Sequence, residues 1–212
     1  DDCVTSTRTF TTTVSNLAPS LAALADQTAV EGSLVRLQGA AFTDPGFLDG
    51  HTASVDWGDG TTQAAAVSSK TVQAQHAYGD NGSYTVTVTV ADDDGGVSVR
   101  SFTTAVSNAA PSLAALKDQT TSEGSTVSLQ GATFTDSGFL DTHTATVDWG
   151  DGTSGSATIA SNAVLAEHAY GDNGAYSVIV IVFDDDGGVS TRTFTATIGN
   201  VEEHAAKLTG RE

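Results

Sequence analysis

The chain has 212 residues, and its 26 acidic and 8 basic side chains give a formal net charge of −18. This charge repels nucleic acid and anionic membrane, so binding to either is not expected, whereas divalent cations are attracted. The single cysteine, Cys3, excludes an internal disulfide framework, and no apolar run is long enough to insert into and span a membrane. Abundant Thr, Ser, Val and Gly favour strands and turns, which predicts an all-β fold.

Residues 1–16 are predicted to be a strand without a sheet of its own. They align with residues 93–108, and so they correspond to the last strand of a repeat whose other strands are missing. Phe10 and Val14 alternate with threonine, as in a half-buried strand. The segment is therefore either frayed, or the remnant of a preceding domain, or an assembly element. In the last case Phe10 and Val14 add to an open sheet edge of another molecule, and Cys3 forms an intermolecular bond.

Residues 17–108 and 109–200 are two copies of one sequence. The heptapeptide VDWGDGT occurs at 55–61 and at 147–153, and Trp57 and Trp149 are 92 positions apart. An offset that holds over the whole length predicts two tandem domains of the same fold. Residues 201–212 leave the pattern and are predicted to form a C-terminal tail.

Alternating apolar and polar residues predict short strands separated by turns in each copy. In the first copy, strands are expected near Leu21 and over residues 34–42, 51–57, 72–76, 84–90 and 97–106. A variable stretch over residues 62–70 separates two of these strands. Short strands at regular spacing are typical of a β-sandwich, and Trp57 and Trp149 are expected in its core.

The paired motifs WGDGT and YGDNGxYxVxVxVxDDDGG resemble those of the PKD (polycystic kidney disease) domain. Both occur twice, in the order and at the spacing of that family, and the resemblance covers residues 17–200. The resemblance implies two tandem seven-stranded, immunoglobulin-like sandwiches in an elongated array. It also implies an extracellular or cell-surface location and a role without catalysis.

The sequence has no arrangement typical of an enzyme active site. Neither GxSxG nor HExxH occurs. The histidines that recur in both copies are predicted to pack at strand ends, and Asp59 in the WGDGT turn is predicted to accept backbone hydrogen bonds. We therefore expect a protein that is not an enzyme.

Acidic loops in each copy predict a Ca²⁺ site. In a sandwich, the loop after the second strand and the last hairpin lie at the same end, where the linker asparagine also arrives. Glu31 should lie at the opposite end of the first copy, facing the second copy, so that an interdomain junction around Asn108 gathers carboxylates. Oxygen ligands from several loops suit Ca²⁺, and the alternative is a set of solvated acidic turns. The predicted ligands are Asn16, Asp44, Asp49, Asp92, Asp94, Asn108, Asp136, Asp141, Asp184 and Asp186.

The amino-acid sequence is compatible with three functions. The first is a rod-like spacer or adhesion segment that contacts other protein chains or displays a domain at the cell surface. The second is a subunit of an extracellular filament in which the chain pairs with itself by strand exchange through residues 1–16. The third is an accessory substrate-binding module of a secreted hydrolase, whose catalytic domain would lie outside this chain.

Overall fold

The structure is a computed structural model that describes residues 5–201, and no helix occurs among them. The all-β prediction is confirmed. No helix in this part of the chain is long and apolar enough to cross a membrane. Cys3 and the tail beyond residue 201 lie outside the described residues.

Chain contacts divide the molecule into two compact units. The first unit comprises Asp1–Thr28, Leu34–His76 and Ser83–Ala105. The second unit comprises Ala29–Ser33, Ala77–Gly82 and Val106–Glu212. Two short segments of the first sequence copy, each comprising a loop and the strand residues beside it, thus belong to the second unit.

Ten strands form from the first sequence copy. They are β1 (Ser20–Leu21), β2 (Gln27–Val30), β3 (Leu34–Arg36), β4 (Phe42–Thr43), β5 (His51–Asp56), β6 (Thr62–Ser68), β7 (Thr71–Gln73), β8 (Gln75–Ala77), β9 (Gly82–Asp92) and β10 (Val97–Ser107). The large sheet has the order β2-β10-β9-β5-β6-β7, and β1-β4 and β3-β8 form two small sheets.

The second copy repeats the same ten strands. They are β11 (Ser112–Leu113), β12 (Gln119–Ser122), β13 (Thr126–Ser128), β14 (Phe134–Thr135), β15 (His143–Asp148), β16 (Ser154–Ala160), β17 (Ala163–Leu165), β18 (Glu167–Ala169), β19 (Gly174–Asp184) and β20 (Val189–Gly199). Their sheets are β12-β20-β19-β15-β16-β17, β11-β14 and β13-β18. β19 and β20 pair antiparallel, and β12 adds to β20 in parallel.

Two features differ from the predicted strands. The expected strand over residues 34–42 is split into β3 and β4, and Gly39 between them has φ 69°, which turns the backbone away from the extended conformation. The variable stretch over residues 62–70 contains β6, which the sequence analysis missed because its alanines have little strand propensity. The expected seven strands per domain are therefore ten.

Each unit has its own buried core. Trp57 is 0% exposed and Trp149 is 6% exposed, which confirms their predicted positions. In the second unit Trp149 packs in one apolar cluster, and the Tyr170 hydroxyl donates to the Trp149 carbonyl over 2.8 Å. Other buried members are Leu113, Val127, Leu129, Phe134, Val147, Val164, Val178, Val180, Val182, Phe194 and Ile198.

The N-terminal arm forms no strand over its described part, residues 5–19. The side chains of Phe10 and Val14 are 90% and 88% exposed. The half-buried strand predicted from their alternation is thus not formed within the described chain. Pairing of this arm with another molecule stays a prediction.

Candidate metal centre

The DDDGG hairpin of each unit is organised by the first of its three aspartates. Asp92 Oδ1 accepts hydrogen bonds from the backbone N–H groups of Asp94 (3.1 Å) and Gly96 (2.6 Å). The side-chain amide of Asn16 donates to Asp92 Oδ2 over 2.9 Å, and this bond keeps the pKa of Asp92 below its usual range. The linker asparagine is therefore fixed to the acidic hairpin, as the sandwich topology predicts.

The second unit repeats this arrangement atom for atom. Asp184 Oδ1 accepts from Asp186 N (3.0 Å) and Gly188 N (2.6 Å), and the Asn108 amide donates to Asp184 Oδ2 over 3.0 Å. The side-chain oxygen of Asn108 is buried and has no hydrogen-bond partner among the described residues. Asn108 therefore keeps one acceptor available beside the hairpin.

A histidine holds the first aspartate of the neighbouring loop. His51 Nε2 lies 2.8 Å from Asp44 Oδ2, and Gly46 N donates to Asp44 Oδ1 over 2.9 Å. Both bonds lower the pKa of Asp44, and the bond from His51 has the larger effect. In the second unit His143 and Asp136 form the same pair over 2.9 Å. Both histidines also contact a core phenylalanine, so their predicted packing at strand ends is confirmed.

The two acidic loops of the first unit meet. One carboxylate oxygen from each of Asp44, Asp49 and Asp92 lies within 4.8 Å of the others, and Asp49 forms a second such group with Asp93 and Asp94. Burial, followed by repulsion from Asp44 and the hairpin aspartates, raises the pKa of Asp49. The predicted ligands of this unit are therefore brought together, whereas metal binding itself stays a prediction.

The second unit contains the matching group and one more. Asp136, Asp141 and Asp184 approach within 4.8 Å of one another. Asp141 also belongs to a group of four with Glu31, Asp80 and Asp186, within the same distance. Asp141 is thus the carboxylate that both groups share.

Three carboxylate oxygens of Glu31 and Asp141 in this group lack hydrogen-bond donors among the described residues. Glu31 is 1% exposed, and its Oε1 accepts a hydrogen bond from Ala109 N over 2.7 Å. Its Oε2 and both carboxylate oxygens of Asp141 are buried without a hydrogen-bond partner in the described part of the chain. Burial and the neighbouring carboxylates, with Glu31 first among these neighbours, raise the pKa of Asp141 to about 6. Such oxygens are costly to bury unless a cation compensates them.

The predicted ligand set omitted two acidic members of these groups, Asp80 and Asp93. Asp80 lies in the loop between β8 and β9, for which no ligand was predicted. Asp93 and its counterpart Asp185 accept hydrogen bonds from Gly50 N (2.9 Å) and Thr142 N (2.8 Å), and so tie the hairpin to the neighbouring loop. The DDDGG run was the available signal, since every aspartate in it is a potential ligand.

The WGDGT turns have a structural role, as predicted. Asp59 Oδ1 accepts from Thr61 N over 2.9 Å, and its Oδ2 lies 2.6 Å from His76 Nε2. The His76 ring stacks on Trp57 with centroids 5.1 Å apart. Gly58 has φ 82°, and an added Cβ would lie 2.6 Å from the Thr85 carbonyl oxygen, so only glycine fits there.

We expect Asp151→Asn to weaken the acid sensitivity of the second unit. Burial raises the pKa of Asp151, but hydrogen bonds from Thr153 and His168 outweigh it and lower this pKa to about 2. The ionised carboxylate therefore stabilises the fold above its ordinary pKa near 3.8, and this contribution is lost as pH falls toward 2. The variant should lose about 1 kcal/mol at neutral pH and change less between about pH 4 and pH 2.

Urea denaturation at several pH values measures this effect. Glu167→Gln removes one exposed carboxylate from the neighbouring strand β18 and serves as the control. Equal acid sensitivity in Asp151→Asn and the unmodified chain would contradict the assignment.

The sequence profile of the PKD domain matches residues 16–106 and 108–198. The chain belongs to the PKD domain family. The resemblance of the WGDGT and DDDGG motifs is thereby confirmed, and the two tandem domains are immunoglobulin-like. PKD domains are typically modules without catalysis and are common in extracellular proteins.

Solved structures similar to this PKD tandem include immunoglobulin domains and fibronectin(III)-like modules. The fibronectin(III)-like modules of Clostridium thermocellum CbhA are 16% identical, with 88% of this chain and 97% of that chain covered and a TM-score of 0.35. Dpr11 IG1 bound to DIP-gamma IG+IG2 is 11% identical, with 86% of this chain and 99% of that chain covered and a TM-score of 0.41. The human Desmocollin-1 ectodomain is 12% identical, with 89% of this chain and 42% of that chain covered and a TM-score of 0.38. The search of curated proteins found no match.

Proposed function

We propose that this PKD tandem is an extracellular spacer or adhesion segment whose acidic loops bind Ca²⁺. One observation carries the calcium proposal. In the second unit, the buried oxygens of Glu31, Asn108 and Asp141 that lack a partner among the described residues are all acceptors. A cation satisfies several such acceptors at once, whereas a hydrogen-bond donor would satisfy one or two.

The chemistry of the residues fits Ca²⁺ better than other metals. Ca²⁺ takes roughly six to eight oxygen ligands in flexible geometry, and carboxylates from separate loops supply such ligands. Glu31, Asp80, Asp141 and Asp186 each offer one oxygen within 4.8 Å of the others. Zn²⁺ prefers nitrogen and sulfur, and His143 of the second unit already uses its Nε2 on Asp136.

Bound Ca²⁺ would stiffen the loops that it joins. The chain carries a net charge of −18, and clustered carboxylates repel one another when they are ionised without a counter-ion. A cation removes this repulsion and links the segments around Glu31 and Asp186 to the Asn108 linker. Binding to the folded form alone also stabilises it by mass action. A spacer that holds its shape only in calcium-rich surroundings suits an extracellular location.

We expect Ca²⁺ to raise the melting temperature by several degrees relative to buffer with EDTA. A free Ca²⁺ concentration of about one hundred times the dissociation constant adds about 2.7 kcal/mol to the free energy of unfolding. Asp136→Ala combined with Asp186→Ala removes one ligand from each group of the second unit and should abolish that unit's part of the increase. Differential scanning calorimetry in both buffers measures it.

The control variant removes the same number of negative charges at residues outside the acidic groups. Asp26→Ala combined with Glu167→Ala also removes two carboxylates, and its response to Ca²⁺ should match that of the unmodified chain. Identical melting of the unmodified chain in Ca²⁺ and in EDTA would remove the calcium proposal.

A filament subunit joined through residues 1–16 is the second candidate. The 90% exposure of Phe10 and the 88% exposure of Val14 favour it, because apolar side chains on an unpaired segment suit addition to a sheet edge. This candidate requires that self-association disappears when residues 1–16 are deleted. Light scattering of the intact and truncated chains in Ca²⁺ separates it from a monomeric spacer.

A further inference from the structure

A groove of about 550 Å³ lies on one side of the second unit, lined by strands β13, β15, β16, β17 and β18. Leu129, Val147 and Trp149 form its buried apolar part, and Leu165 is 49% exposed beside them. The complete lining is Ser128, Leu129, Val147, Trp149, Gly155, Ser156, Thr158, Leu165, Ala166 and Glu167. The groove therefore leads from the surface to apolar side chains of the core.

The first sequence copy has a side chain across the same place. Gln63 of β6 corresponds to Gly155, 92 positions later, and its amide donates a hydrogen bond to the Gln75 carbonyl oxygen over 3.1 Å. Trp57 is 0% exposed in that unit, whereas Trp149 is 6% exposed and lines the groove. The groove that remains in the first unit is smaller, about 410 Å³, and its lining does not include the tryptophan. Glycine at position 155 thus opens a gap that glutamine bridges in the other copy.

Strand β16 has an unpaired edge beside this groove. It pairs with β15 over residues 154–157 but with β17 only over residues 158–160. After Leu165 the chain leaves this edge and pairs with β13 as strand β18. Among the described residues, no other strand continues the ladder along residues 154–157. An added strand therefore has room where β17 ends.

The unpaired edge offers hydrogen-bonding groups to such a strand. Trp149 N donates to the Thr153 carbonyl oxygen over 3.0 Å, so these two residues face each other as a hydrogen-bonded pair. By the alternation of an antiparallel ladder, the N–H and C=O groups of Ser154 and Ser156 point away from β15. An extended peptide that pairs with them places alternate side chains in the groove and in solvent.

The charges beside the groove favour a basic peptide. Glu167 lines the groove, and Asp148 lies opposite Ser154 in the β15–β16 ladder. The groove lining contains no Lys or Arg, and the whole chain carries a net charge of −18. A peptide with one bulky apolar residue between two basic residues matches both the apolar lining and these acids. A sugar ring would need an exposed aromatic face for stacking, and Trp149 is too buried to provide one.

We infer that this groove binds an extended peptide segment of a partner protein. The segment adds as a strand to β16 at Ser154 and Ser156, and it inserts one apolar side chain against Trp149 and Leu165. Basic residues on either side of the apolar one lie near the acids of the rim. The groove shares no residue with the acidic groups of the candidate metal centre, so its occupation does not depend on calcium.

A titration of the isotope-labelled full chain, followed by nuclear magnetic resonance, tests the inference. The probe is the synthetic peptide acetyl-Thr-Lys-Leu-Lys-Thr-amide. Three comparison peptides carry alanine in place of leucine, glutamate in place of both lysines, or methyl groups on the backbone nitrogens. We expect saturable shifts of the amide signals of residues 154–158 and 165–167 at millimolar probe. Each comparison peptide should bind at least about tenfold more weakly.

Gly155→Gln is the sharpest variant, because it gives the second copy the side chain that bridges the gap in the first. Gly155 has no positive φ, and a Cβ added there meets no atom of the described residues within 4 Å, so the variant should melt no lower than the unmodified chain. We expect it to bind the probe at least about tenfold more weakly. Gly155→Ala is the matched control. Its methyl group is too short to bridge the gap, and its affinity should stay within about twofold of that of the unmodified chain.

Five outcomes overturn the inference. Unchanged amide signals at residues 154–158 with millimolar probe exclude the site. Equal binding of the backbone-methylated peptide shows that the peptide does not add as a strand. Equal binding by Gly155→Gln shows that another surface is used. Shifts at these amides with cellohexaose or chitohexaose, but not with the peptide, identify a sugar site. Shifts at these amides on deletion of residues 202–212 identify the chain's own tail as the occupant.

Discussion

Trp149→Ala will destabilise the second unit by roughly 3–5 kcal/mol, the usual cost of removing a large aromatic side chain from a core. Trp149 is 6% exposed and packs among the valines of strands β15 and β19. Its ring stacks on His168 with centroids 5.1 Å apart, and its carbonyl accepts the Tyr170 hydroxyl. Removal leaves a cavity in the core, and the hydrogen bonds of β15 with β16 and β19 hold the surrounding backbone in place.

Urea denaturation followed by circular dichroism measures the loss in the second unit. The variant keeps Trp57 as its only tryptophan, so fluorescence reports the first unit separately. Leu165→Ala removes an apolar side chain that is 49% exposed and should cost far less. A Trp149→Ala variant that unfolds at the same urea concentration as the unmodified chain would show that the ring is not part of the core.

Asp141→Asn should have opposite effects in EDTA and in Ca²⁺. Burial and the neighbouring carboxylates raise the pKa of Asp141 to about 6, above the ordinary value of 3.8. An acid whose pKa is raised by folding destabilises the protein as pH rises through these two values, and the full cost is present at pH 7. Without calcium, the amide should therefore raise stability by about 2 kcal/mol at pH 7.

In Ca²⁺ the same substitution should lower stability. Asp141 belongs to both acidic groups of the second unit, and its two oxygens have no partner among the described residues. Loss of its charge removes the ligand that the two groups share. Calorimetry at pH 7 in each buffer measures the two effects, with Glu167→Gln as a charge control. A variant less stable than the unmodified chain in both buffers would contradict this account.

The strand framework was predictable because the side-chain pattern repeats. Val86, Val88 and Val90 alternate with polar residues along β9, and all three are fully buried. The offset of 92 positions then predicted the same burial for the second copy. The exceptions are local. Gly39 breaks a strand through its positive φ, which no periodicity reveals, and the alanines of β6 carry little strand propensity.

The candidate site was predictable only in part. Sandwich topology brings the loop of Asp44 to the hairpin of Asp92, because loops at one end of a sandwich meet regardless of their sequence. The grouping of Glu31 and Asp80 with Asp141 depends on side-chain positions far apart in sequence. The contact of Phe139 with Gly79 was missed entirely. Gly79 has no side chain, so its close contacts produce no periodic pattern in the sequence. Close backbone contacts become visible only in three dimensions.

Equilibrium dialysis of the full chain against radioactive calcium is the most direct measurement of the central proposal. We expect at least one bound ion per chain at millimolar calcium or below, and less bound calcium after Asp141→Asn but not after Glu167→Gln. No bound calcium at millimolar concentrations, or binding unaffected by Asp141→Asn, would contradict it. In that case the acidic groups of Asp49 and Asp141 would be solvated turns.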